Sequence, residues 1–258
     1  NSTWSGGTAT ANFTVTGDTV TVSGTQSIGG LNFEVTGYSL TNGTSPSLSL
    51  AQDSTINVTT GTATVAPPLT GSFGITKSGT GVAILNGANT YTGTTTVSAG
   101  TLALGGTSYN GGTFTVGSSG TLRLDNTGTS PATTFNISGT LASNSSYNKL
   151  NILNLTGGSL ACNGGKDSSW GCFGLAGAVT TSGTSQVTTN GSSNSRVFLG
   201  NAVTSTSATT FNVSDTFTVG APLANNTSLT NGALTKTGTG SMVLTAVNTY
   251  TGATTISG

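Results

Sequence analysis

The chain contains no histidine, two cysteines, one methionine and, in 258 residues, only six Lys+Arg and six Asp+Glu. Without histidine there is no imidazole base, no His-dependent triad and no ordinary zinc or copper site. The six acids, Asp18, Glu34, Asp53, Asp125, Asp167 and Asp215, are scattered, and no pair lies within ten residues to suggest the clustered carboxylates of a polysaccharide hydrolase or lyase. The composition predicts a protein that is not an enzyme, with no catalytic residue, no metal site and no cofactor. A formal net charge of zero and the lack of any Lys/Arg run argue equally against a nucleic-acid partner. No stretch of about 18 apolar residues is present, so the segment is not expected to insert in a membrane.

What the chain does have is 40 Gly, 56 Thr and 33% hydrophobic residues, placed with a short period. Apolar residues recur in pairs separated by one residue: Phe13/Val15, Val20/Val22, Leu31/Phe33/Val35, Leu48/Leu50, Ile56/Val58, Ala63/Val65, Phe73/Ile75, Val97 behind Thr95, Leu102/Leu104, Phe114/Val116, Leu122/Leu124, Phe135/Ile137, Val197/Leu199, Phe211/Val213, Phe217/Val219 and Val243 beside Leu244. Each pair reads as a short strand with one buried face. Gly, Asn, Asp and Ser between them supply turns. No segment shows the three-and-four spacing of an amphipathic helix, so the chain is expected to be all-β. Strands that bury only two side chains before turning favour a β-solenoid over a sandwich. At roughly 20 to 25 residues per turn and about 4.8 Å per turn, the expectation is on the order of eleven turns in a rod about 50 Å long.

Residues 76–99 (TKSGTGVAILNGANTYTGTTTVSA) and 235–258 (TKTGTGSMVLTAVNTYTGATTISG) share 14 identities in 24 positions at an offset of 159. Upstream, Ile56–Val58 and Ala63–Val65 align with Phe211–Val213 and Phe217–Val219 at offsets near 155, which places a four-residue insertion at the Asn225-Asn226-Thr227 turn. The homologous units therefore span about 55–104 and 210–258. Their shared pattern is carried by Lys77, Gly79, Gly81, Leu85, Asn89, Tyr91, Gly93 and Thr95, and again by Lys236, Gly238, Gly240, Leu244, Asn248, Tyr250, Gly252 and Thr254. It resembles the passenger-associated strand repeat of bacterial autotransporters. That resemblance implies a right-handed parallel β-helix, a single elongated domain over 1–258, exported to the bacterial outer surface or the extracellular space. Independently of any family, the glycines permit backbone conformations closed to other residues, the asparagine amides can bond neighbouring turns, and the tyrosines read as packing residues at a corner.

In an exported chain, Cys162 and Cys172 of the segment CNGGKDSSWGC are expected to form a disulfide closing a short loop. Lys166, Asp167 and Trp170 make that loop a candidate binding knob, within a stretch, 143–175, that reads as a loop-rich insertion. Two roles follow from different features. Low charge and open solenoid ends favour a structural protein that stacks head to tail or laterally into a surface filament, fibre or coat. The sequence stops in mid-motif at Gly258, whereas the equivalent Ala99 leads into Gly100–Leu104, so the expectation is either that the protein continues beyond Gly258 or that a neighbouring copy supplies the strand, in which case its Asn1–Val15 segment is the candidate. The alternative is an adhesin that grips a glycan or a cell-surface receptor through loops on the rod.

Overall fold

A computed structural model describes residues 6–106, 112–167, 170–200, 208–225 and 231–258. Residues 1–5 and 226–230 lie outside it, and with them part of the proposed neighbour-pairing segment and of the inserted turn. The described chain is strands, turns and bends without helix, and every strand pairing with a register is parallel. It divides into two compact units, residues 1–123 and 124–258. Each is a β-solenoid, the fold expected from the alternation.

In the first unit the strands form three parallel files. Face A takes residues 25–28, 47–50 and the strand Leu69–Thr70. Face B takes Thr10–Phe13, 30–33, 55–58, Ile75–Ser78 and 95–97. Face C takes Thr19–Val22, Ser39–Asn42, Thr62–Val65, Val82–Leu85 and 101–104. Each strand hydrogen-bonds to the equivalent strand about twenty residues on, so residues of like character stack in rows. The second unit repeats the plan, with face A through Asn148–Thr156 (its first three residues), Phe173–Leu175, Val197–Leu199 and Leu223–Asn225.

Two rows on face B show how the rows work. The inward row of the first unit runs Ala11, Leu31, Ile56, Lys77, Val97. Burying the aliphatic members contributes about 1.5–3 kcal/mol each, enough for a column one side chain deep. The adjacent outward row runs Asn12, Asn32, Asn57, Ser78. There Asn32 Nδ2 donates to Asn12 Oδ1 at 3.0 Å, Asn57 Nδ2 to Asn32 Oδ1 at 2.7 Å and Ser78 Oγ to Asn57 Oδ1 at 3.1 Å. The ladder satisfies polar groups on a strand surface that carries almost no charge. In the second unit Asn154 Nδ2 donates to Asn136 Oδ1 at 2.8 Å in the same way.

The stretch 143–175 is more regular than its sequence suggests. It holds the nine-residue strand Asn148–Thr156 and the strand Ser159–Cys162, so among the described residues the irregular part narrows to 144–147, 157–158, 163–167 and 170–172.

Candidate functional site

The repeat motif and the cysteine loop are the two places where chemistry-bearing residues converge. In the motif, the lysine points inward. Lys77 occupies a core position, fully buried, in the row of Leu31 and Ile56. Its Nζ donates to Ser78 O at 2.6 Å, Gly79 O at 2.9 Å and Ala99 O at 3.3 Å. Lys236 fills the equivalent core row, after Phe135, Leu153, Val179 and Phe211, and its Nζ donates to Gly238 O and to Gly258 O. One ammonium thus gathers carbonyls from its own turn and from the next, at a bend where the strand ladder cannot reach them.

The remaining motif residues agree between copies bond for bond. Asn89 Oδ1 accepts Leu69 N–H and Asn248 Oδ1 accepts Leu223 N–H, both at 2.9 Å, joining consecutive turns. Tyr91 Oη meets Thr95 Oγ1 at 2.6 Å and Tyr250 Oη meets Thr254 Oγ1 at 2.7 Å. Gly79 (φ +73°) and Gly238 (φ +79°) sit in the left-handed region. The other glycines are pressed against neighbouring turns. A Cβ would fall 2.6 Å from Val58 Cγ1 at Gly81, 2.1 Å from Asp215 O at Gly240, 2.2 Å from Gly74 N at Gly93 and 2.6 Å from Gly232 O at Gly252. The lysine, asparagine, tyrosine and glycine positions of the motif thus make their contacts within the coil.

Two of these groups titrate away from their ordinary values. Burial pulls the Lys77 ammonium from 10.5 down to about 8. Burial also pushes the Tyr91 phenol from 10.0 up to about 12, against the opposing hydrogen bond with Thr95. Between pH 8 and 10.5 the unfolded chain holds the lysine proton that the folded chain has released, so stability rises with pH, by about 3 kcal/mol at most. Between pH 10 and 12 the folded chain keeps the tyrosine proton that the unfolded chain loses, so stability falls. Urea unfolding of the first unit is expected to be most resistant near pH 10, and a midpoint that falls steadily from pH 8 to 10 contradicts this.

The cysteine loop lies in the second unit. Cys162 and Cys172 are bonded and fully buried, with Cα atoms 5.5 Å apart. The described residues of the loop between them are tied to neighbouring turns. Asn163 N–H donates to Ser143 Oγ, Gly164 N–H to Ser195 Oγ and Gly165 N–H to Asn194 O, each at 3.1 Å, and Cys172 N–H donates to Arg196 O at 2.9 Å. At its tip Asp167 and Trp170 exchange backbone hydrogen bonds at 3.2 Å, and Asp167 Oδ1 accepts Trp170 N–H at 3.0 Å. The Trp170 ring packs 5.0 Å from Tyr147, whose ring lies 5.9 Å from Phe198, and Ala224 completes the cluster. Lys166 Nζ stands 6.0 Å from the Trp170 ring centre, within reach of a cation–π contact.

This cluster lies outside the coil. Val197 and Leu199 point inward on face A, so Phe198 between them points outward, in the row Lys149, Gly174, Phe198, Ala224. Tyr147 covers Gly174 so closely that a Cβ there would fall 2.2 Å from Tyr147 Oη. Lys166 and Asp167 remain exposed while Trp170 is half-buried. Tyr147 and Phe198 were not among the residues singled out from the sequence. The signal was available in Val197-Phe198-Leu199, three consecutive apolar residues in a strand, which mark a strand covered on both sides.

The profile of the passenger-associated-transport-repeat family matches residues 75–104 and 234–258, the stretches whose lysine, asparagine and tyrosine contacts coincide. Among curated proteins, the "Adhesin BmaC autotransporter" of Brucella suis biovar 1 (strain 1330) is 42% identical over 94 residues, which is 36% of this chain and 3% of that protein. The chain thus matches only a small part of that relative's length. No solved structure gives a significant match. Residues 75–104 and 234–258 are two copies of the passenger-associated-transport repeat of autotransporters, carried on a β-solenoid.

Proposed function

We propose that this chain is a non-enzymatic stretch of an autotransporter passenger, displayed at or released from the bacterial outer surface, and that it acts in adhesion through the 163–172 loop. The observation that carries this reading is the loop's own small aromatic core, built on the outer side of the coil from Tyr147, Trp170, Phe198 and Ala224 and closed by a disulfide. The inward rows build the coil; a loop held rigidly outside them is a platform for recognition. The likeness to a protein named as an adhesin supports the same role.

The test is adherence of the purified chain, coated on beads, to host or bacterial cells. Trp170→Ala and the double change Cys162→Ser/Cys172→Ser are expected to abolish most adherence while the far-ultraviolet spectrum keeps its β signature. Undiminished adherence of both variants overturns the assignment to this loop.

A second reading, stacking of copies into a filament or coat, is favoured by the low charge of the chain, six Lys+Arg and six Asp+Glu in 258 residues, which leaves little electrostatic repulsion between copies. Electron microscopy across a concentration series separates the two: threads with a regular axial repeat support stacking, and isolated particles at every concentration remove it.

A further inference from the structure

The chain has six basic residues, and two of them, Lys77 and Lys236, are consumed inside the core. Of the four left, Lys166 lies within the 163–172 loop, Arg196 lies against its base, and Lys149 stands in the outward row of Gly174 and Phe198 beside it, two residues beyond Tyr147. A Cβ on Gly171 would meet Arg196 Cγ at 2.8 Å, and Arg196 O accepts Cys172 N–H. Lys166 stands over the Trp170 ring. The acid within the loop is Asp167, whose Oδ1 accepts the Trp170 backbone N–H.

We infer that the loop is a receptor for an acidic polysaccharide, with Lys149, Lys166 and Arg196 meeting its sulfate or carboxylate groups and the Trp170 ring meeting the apolar face of a sugar. This deepens, and rests on, the adhesive reading of the same loop. Three positive charges stand against the one negative charge within the loop, in a chain with only six Asp+Glu; the next acid along the stack, Asp125, accepts a hydrogen bond from Asn144 Nδ2 at 3.2 Å. Among the described residues no carboxylate forms an ion pair with Lys149, Lys166 or Arg196. The Arg196 guanidinium donates to Ser193 O at 3.2 Å, and its five N–H groups leave donors for a ligand. The ring and the charges together select a polymer that is both carbohydrate and anionic. A neutral glycan leaves the cations unused, and a bare polyanion leaves the ring unused.

The experiment measures binding of the full chain to immobilised heparin, hyaluronan and dextran at low and high salt. Binding to heparin or hyaluronan but not dextran is expected; hyaluronan offers carboxylate alone, and binding to heparin without hyaluronan reads sulfate. Each of Lys149→Glu, Lys166→Glu and Arg196→Glu should weaken it about tenfold, the size of one charge-assisted contact, and Trp170→Ala should weaken it at high salt as well. These side chains lie on the outside, so folding is checked only by circular dichroism and by mass for the disulfide. Equal retention on dextran, or unchanged heparin and hyaluronan binding by the triple Glu variant, overturns the proposal. If the triple variant still adheres to cells while Trp170→Ala does not, the adhesive loop stands and the acidic ligand falls. If both variants adhere normally, both readings fall.

Discussion

Replacing Gly79 by valine is expected to unfold the first unit around residues 55–104. Gly79 has φ +73°, a region that a β-branched residue enters only under strain. A Cβ there would also fall 2.2 Å from Val58 O and 2.7 Å from Val58 C. Those atoms belong to the backbone of the preceding turn, so no side chain can step aside. Strain and clash together exceed about 4 kcal/mol, a large share of the 5–15 kcal/mol that holds a typical domain. Gly24 is the control: it has φ +65°, but nothing lies within 4 Å of its Cβ position. Gly24→Ala therefore carries only the conformational cost, about 1 kcal/mol. Hydrogen exchange read peptide by peptide should show 55–104 open in Gly79→Val and protected in Gly24→Ala. Matching protection in both variants would mean that the close approach to Val58 is not what the repeat's first glycine is for.

Lys77→Met is the second large effect, and it separates shape from charge. Methionine approximates the length of the aliphatic stem, so the core row remains filled. What disappears is the donor to Ser78, Gly79 and Ala99. Part-buried carbonyls left without their donor cost about 3 kcal/mol in all, a fall of about 10 °C in the unfolding temperature of a unit this size. Lys236→Met should cost less, because Lys236 is less completely buried and gathers carbonyls from Gly238 and Gly258 alone. The rise in stability between pH 8 and 10.5 should also vanish in Lys77→Met. A variant as stable as the parent at pH 7 would show that water replaces the ammonium without penalty.

The inward rows were legible wherever alternation is simple. Leu31/Phe33, Ile56/Val58, Ala63/Val65 and Leu122/Leu124 are buried pairs, as their spacing predicts. Val15 and Phe73 broke the rule, at 68% and 41% exposure, because both lie just outside a strand, where the period of two has no meaning; Val20 broke it inside the strand Thr19–Val22, at 37%, and nothing in the structure explains that. The strand Asn148–Thr156 was missed for a different reason. Its first three residues pair with 173–175 on face A and its residues 153–156 pair with 179–182 on face B, so the chain turns a corner without leaving strand. The phase of burial shifts there, from Leu150 to Leu153 and Leu155, with Ile152 turned outward. Lys77 was legible as a motif member but not as a core residue, since nothing in the composition says that a lone charge will find carbonyls. At the candidate site the loop and its Trp170 could be read from the sequence. Its partners Tyr147 and Phe198 come from two other turns, and only stacking brings them together.

The disulfide lies under its own loop, with both sulfurs closed to solvent. A thiolate must reach a sulfur in line to exchange with it, so reduction waits for the loop to lift. Once a reductant is abundant, adding more of it no longer shortens the wait; the opening rate alone sets the pace. Cys162 closes a strand of the coil and the loop is bonded to the turns on either side, so opening breaks the bonds from Asn163, Gly164 and Gly165 to Ser143, Ser195 and Asn194 before a sulfur is reached. The bond works as a clock wound by local fluctuation, and its lifetime in a reducing milieu is a property of residues 163–172 rather than of the surroundings.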